Sequence, residues 1–217
     1  MNKRILGIAL AGSLLAGWAH AAPFQNGSFE TGTDPGASFI TLPSGDTGIT
    51  GWQVTGAGID YIGPFWQAAD GTRSLDLSAT DAGGIQQTFD TVAGHNYRVT
   101  FSLAGNPSAP PIKTVRVQAT GGAATDYSFD ITGASTGAMG WTTQTYNFTA
   151  TGAATTLSFT SLAADAYGPA LDNVVVTDLT PAAAVAPVPT LSQWALLLLA
   201  SLMAALGLRQ RAARGRH

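Results

Sequence analysis

Three aspartates, Asp60, Asp76 and Asp172, are available for acid–base work in this chain, and two carboxylates flanking a bond can serve as general acid and base. No motif places any pair of them. Serine and threonine abound, but His95 is the only histidine between residues 22 and 180, and there is no Gly-x-Ser-x-Gly elbow, His-Glu-x-x-His or phosphate loop. His20, His95 and His217 lie too far apart in character and sequence to make a zinc site, and a chain without cysteine has no thiol chemistry. The residue types point instead to binding. Sugar rings lie flat on aromatic faces while their hydroxyls bond to Asp, Asn, Gln and Arg. The candidates are Phe65, Trp66, Asp70, Arg73, Gln86, Asn106, Trp141 and Tyr167. Trp66, in a loop flanked by Gly63-Pro64 and Asp70-Gly71, is the expected exposed platform. Trp52 is expected in the core, and Trp141 is open between the two roles. We expect no enzyme.

These residues need a scaffold, and the composition favours strands. Of 217 residues 26 are Gly, Thr and Ala are abundant, and only 11% are charged, which suits short strands and tight turns rather than helices. Tyr97-Arg98-Val99-Thr100-Phe101-Ser102-Leu103-Ala104 alternates apolar and polar residues cleanly. Leu75 and Leu77 should face the core with Asp76 turned away. Gly105 to Pro111 carries three prolines and must be a loop. Trp141–Ala150 and Thr155–Leu162 are expected to pair across a Thr151-Gly152 turn. About ten short strands predict a two-sheet β-sandwich with jelly-roll connections.

All thirteen acidic residues lie between Glu30 and Asp178, where only Arg73, Arg98, Lys113 and Arg116 are basic. Residues 22–180 therefore carry a formal charge of about −9, against −3 for the whole chain. Such a surface repels phosphates and excludes nucleic acid as a partner.

Both ends read as targeting segments. Asn2-Lys3-Arg4, the apolar run Ile5–Trp18 and Ala19-His20-Ala21 form a signal peptide over residues 1–21. Residues 181–190 are a Pro/Ala linker. Leu191–Leu208 is an 18-residue, mostly apolar run. As a helix it would span roughly 27 Å, close to the ~30 Å hydrocarbon core, so it is expected to be a transmembrane segment with residues 209–217 as a basic cytoplasmic tail. Val188-Pro189-Thr190-Leu191-Ser192-Gln193-Trp194, followed by the apolar run and Arg209 and Arg211, resembles the IPTL-type C-terminal sorting signal of Gram-negative bacteria, with Val188 where Ile is usual. The resemblance implies an exosortase-like processing enzyme as partner, transient anchoring in the inner membrane, and delivery to the cell surface.

The stretch between also resembles a known family. Asn26-Gly27-Ser28-Phe29-Glu30, Gly51-Trp52, Ile59-Asp60-Tyr61-Ile62, Gly71-Thr72-Arg73-Ser74-Leu75-Asp76-Leu77 and Gly83-Gly84-Ile85-Gln86-Gln87-Thr88-Phe89 come in order. They are followed by Phe101–Pro107, Met139–Thr142 and Tyr167–Val174. This looks like the bacterial choice-of-anchor C domain, a relative of plant cell-wall proteins. The resemblance implies an all-β, galactose-binding-like fold and a surface role as a polysaccharide or cell-envelope glycan binder, the alternative being a structural or adhesive matrix protein that works through protein contacts. Sandwiches of that kind commonly hold one structural Ca²⁺ between first and last strands, which here would fall to Glu30 and Asp172 with Asn26 beside them.

Overall fold

The computed structural model describes residues 21–108, 110–181 and 193–214. The expected signal peptide and most of the linker lie outside these residues, as do Val188, Pro189, Thr190, Leu191 and Ser192 of the sorting signal. Residues up to Thr180 form one compact unit and those from Pro181 a second.

The first unit is an all-β sandwich of eleven strands: β1 (Phe39–Leu42), β2 (Gln53–Gly56), β3 (Ile59–Ile62), β4 (Ser74–Asp76), β5 (Gly83–Asp90), β6 (Asn96–Gly105), β7 (Ile112–Ala119), β8 (Thr125–Asp130), β9 (Thr142–Thr149), β10 (Ala154–Ser161) and β11 (Pro169–Asp178). One sheet has the order β1-β3-β4-β11-β6-β9, the other β2-β5-β10-β7-β8, and all pairings are antiparallel. From β4 to β11 the chain changes sheet at every connection except β7–β8, which is the jelly-roll course. That course overturns the expected β9–β10 hairpin. β9 pairs with β6, and β10 pairs with β5 and β7, so the short Thr151-Gly152 link crosses between layers.

Alternation builds the core. Tyr97, Val99, Phe101 and Leu103 of β6 meet Val115, Val117, Leu157 and Phe159 of the facing sheet. Trp52 is buried there as expected, with its ring 5.5 Å from that of Phe29. Leu75 and Leu77 enter the same core.

A smaller cluster forms on the outer side of the six-stranded sheet. Ala104 and Ala170 project outward from β6 and β11, and Trp66 and Met139 pack over them together with Ile62. Loops 63–73 and 131–141 thus cover part of that face. Gln67 N–H donates to Thr136 O at 2.9 Å and Trp141 Nε1–H to Gln67 O at 2.8 Å, tying the two loops together.

In the second unit one helix, α1, runs from Gln193 to Arg214. Among the described residues no helix is long and apolar enough to cross a membrane; the expected segment Leu191–Leu208 begins outside those residues. The mostly apolar part of α1 ends at Leu208, where Arg209 and Arg211 follow.

Candidate functional site: an aromatic-rimmed acidic pocket

Short strands β1, β3 and β4 set their outward residues in one row. Thr41 stands opposite Asp60, Asp60 opposite Asp76, and Asp76 opposite Ala170. Like charges directly opposite across antiparallel strands destabilise a sheet, so the Asp60–Asp76 pair is a cost that packing does not require. The pair floors a pocket of about 310 Å³ whose walls include Phe39, Phe65, Asn106 and Tyr167. The three aromatic rings are exposed to 41, 43 and 45% in that sequence order, unusual for large apolar side chains set side by side. Phe39 and Phe65 pack edge to face at 5.2 Å.

The two aspartates differ in what they hold. Asp76 is 1% exposed. Its Oδ1 accepts N–H bonds from Ser78 at 3.1 Å and Gly168 at 2.9 Å, and its Oδ2 accepts Asn106 Nδ2–H at 2.8 Å. Burial pushes its pKa up to about 7, against the pull of those donors and with Asp60 adding to the rise. Gly168 has to be glycine for this contact, since a Cβ there would come within 2.5 Å of Asp76 Oδ1. Asp60 is half-buried and more open. Its Oδ1 accepts Thr41 Oγ1–H at 2.6 Å, and its Oδ2 has no hydrogen-bond partner among the described residues. Burial raises its pKa as well, offset in part by Thr41.

The Tyr167 wall is held from behind. Lys113, fully buried, passes its Nζ to Tyr167 O at 2.5 Å and lies 5.8 Å from that ring's centre. Desolvation lowers the pKa of Lys113, and Asp165 and Asp76 oppose the shift.

Of the sequence candidates, Phe65, Trp66, Asn106 and Tyr167 line this pocket. Trp66 is not the exposed platform expected: it is 4% exposed, and its Nε1–H donates to Ser74 Oγ at 2.8 Å beneath the loop. Asp70 is exposed and Arg73 half-buried on loop 63–73, but neither lines the pocket. Arg73 instead donates to Tyr61 Oη at 2.8 Å. Trp141 is half-buried against the outer cluster. Gln86 sits on the other sheet, bonded to Gln53 at 2.9 Å. Phe39 and Thr41 escaped the sequence reading, and Asp60 and Asp76 were seen only as unplaced acids. Period-two alternation in three successive strands was the available signal, but it required the register of β1, β3 and β4.

Glu30 and Asp172 both hold amides of loop 69–73, and Asn26 lies beside Gly27, which meets the last strand. Val174 N–H donates to Gly27 O at 2.8 Å, and any Cβ on Gly27 would collide with Val174 O. Asp172 Oδ2 accepts the amides of Ala69 and Asp70 at 2.7 and 2.9 Å, and its Oδ1 that of Asn173 at 2.6 Å. Glu30 Oε1 accepts those of Thr72 and Arg73 at 2.9 and 2.8 Å. Asn26 spans Thr31 and Thr50. Amide hydrogens carry positive charge, so oxygens turned on them suit N–H donors rather than a calcium ion. Among the described residues no three His, Cys, Asp or Glu converge as a metal-binding group. Burial pushes the Asp172 pKa up to about 7, with the three amides pulling it down. The two carboxylates clip loop 69–73 onto the sandwich.

Solved structures of similar shape include TmCBM61 in complex with β-1,4-galactotriose, at 19% identity over 72% of this chain and 98% of that one, with a TM-score of 0.42. Another is CBM35 from Paenibacillus barcinonensis, at 18% identity over 64% and 98%, with a TM-score of 0.43. Among sequence relatives, Halomucin of Haloquadratum walsbyi is 34% identical over 196 residues, which cover 87% of this chain and 2% of that protein's length. Residues 186–214 match the IPTL-CTERM motif. Residues 22–177, well over half of the chain, match the family described as protein of unknown function (DUF642), and the protein belongs to that family.

Proposed function

We propose that this is an exported, surface-sorted protein that binds glycan through the Phe39–Phe65–Tyr167 pocket without acting on it chemically. The observation that carries the reading is the combination of three exposed rings with an acceptor floor. Rings supply apolar platforms for the C–H face of a sugar, and Asp60 accepts its hydroxyl hydrogens. Asp76 supports a binding role over a catalytic one, because both its oxygens already hold protein donors. The IPTL-CTERM motif supports delivery to the cell surface of a Gram-negative bacterium by an exosortase-like enzyme at the inner membrane. Within its family, the order of motifs from Asn26 to Val174 supports assignment to the choice-of-anchor C group.

The test is retention of the purified protein on a panel of insoluble and arrayed polysaccharides, beside Tyr167→Ala and Phe65→Ala. Retention lost in both variants with their folds intact supports the pocket. No retention of a folded wild-type chain on any glycan moves the protein to the structural or adhesive reading.

A further inference from the structure

The pocket floor is rich in acceptors and poor in donors. Among the described residues Asp60 Oδ2 has no hydrogen-bond partner, while Asn106 Nδ2–H donates to Asp76 Oδ2 at 2.8 Å and Asn106 Oδ1 accepts Ser108 N–H at 3.2 Å. Lys113 donates to the Tyr167 carbonyl. A ligand must therefore bring its own donors.

The rim sharpens the demand. The faces of Phe39, Phe65 and Tyr167 carry the negative part of their ring quadrupoles, and a cation held near such faces is stabilised. Carboxylate floor and aromatic rim thus favour the same ligand charge. A domain of formal charge about −9 adds a long-range field of the same sign. A carboxylated or sulfated sugar would meet the opposite on all three counts.

Resting on the glycan reading above, we infer that the pocket selects sugars bearing a free ammonium group, that is, unacetylated hexosamine units, over their N-acetylated and acidic counterparts, with Asp60 as the ion partner. Acetylation removes the positive charge and caps the nitrogen with a bulky amide, so it removes both attractions at once.

The experiment is calorimetric titration of the full chain at neutral pH and low salt with oligomers of glucosamine, N-acetylglucosamine and galacturonate. The glucosamine oligomer should bind about tenfold or more tightly than the acetylated one, a difference of about 1.4 kcal/mol, and galacturonate should not bind. Asp60→Asn, which keeps the side-chain shape and an acceptor for Thr41, should collapse that ratio. Asp126→Asn removes the same formal charge from the other sheet and should preserve it. Raising salt should weaken the wild-type chain for the glucosamine oligomer alone, a readout that depends on no variant. Equal or tighter binding of the acetylated oligomer overturns the inference and leaves the glycan reading standing. An equal loss of preference in Asp126→Asn also overturns it, since general charge would then be responsible. Failure to bind any oligomer or polysaccharide overturns both.

Discussion

The outer faces of the two sheets are built on opposite plans. On the five-stranded sheet, polar side chains satisfy one another: Gln53 with Gln86, Thr88 with Thr156 at 2.7 Å, Thr114 with Ser128 at 2.9 Å, and Arg116 with Asp126 at 2.7 Å. That face is open to solvent and needs nothing more. On the six-stranded sheet, loops cover the strands, two acids face each other, and three rings stand exposed beside them. The same antiparallel scaffold carries a self-satisfied surface on one side and an unsatisfied one on the other. Unmet demand in an otherwise well-paired fold is where a ligand finds its place.

The comparison breaks first if the covered face does not depend on its carboxylates. Asp172→Ala leaves three part-buried amides without their acceptor, which costs about 3 kcal/mol and should lower the melting temperature by about 6–12 °C. In the same experiment chelator should leave the wild-type melting temperature unmoved if the amides alone satisfy Glu30 and Asp172. A chelator-induced drop would return the calcium site to those two residues.

Next in size is a pH effect. Asp76 and Asp172 are both raised from 3.8 to about 7 in the fold, so the native state binds more protons than the unfolded chain between those values. Stability from this source is full below about pH 4 and is lost as pH rises through about 7. The domain should therefore melt some degrees higher at about pH 5 than at about pH 8. Asp76→Asn should flatten that slope. A melting temperature that climbs with pH over this range would mean that the amide bonds outweigh burial and both groups are ionised throughout.

Smaller again is the loss of one pocket wall. Tyr167→Ala removes an exposed ring and should weaken glycan retention about tenfold, or roughly 1.4 kcal/mol, while leaving the melting temperature within about 2 °C. Lys113→Met should do the reverse in part. Its main effect is on stability, because the Tyr167 carbonyl loses its donor and the buried Lys113 stem is replaced, and retention falls only as far as the wall moves. Loss of retention in Lys113→Met without any in Tyr167→Ala would shift the ligand away from the ring and toward the loop backbone.

What could be read beforehand follows the range of the interactions. Alternation in β6 and the apolar pair Leu75 and Leu77 are local, and both hold in the fold. The pairing of β9 depends on whether a short link turns back or crosses to the other layer, and residues 151–153 are compatible with either. The site divides likewise. Phe65, Asn106 and Tyr167 stand in Gly/Pro-rich loops, where exposed polar and aromatic groups draw notice. Trp66 stands in the same loop but folds under it, because Ser74 offers its indole a buried acceptor that no spacing rule foresees. Asp60 and Asp76 become a pair only through the β3–β4 register, and Phe39 joins them only through β1.

The smallest expected effect is the sharpest control. Gln86 has the residue type of a sugar ligand, yet its Nε2 donates to Gln53 on the idle face. Gln86→Ala removes an exposed side-chain bond between two neutral amides, worth no more than about 0.5 kcal/mol. It should leave both the melting temperature and retention on polysaccharide where the wild-type chain has them. If retention falls in Gln86→Ala while Tyr167→Ala binds normally, the ligand lies on the five-stranded sheet, and the self-satisfied face is the working one.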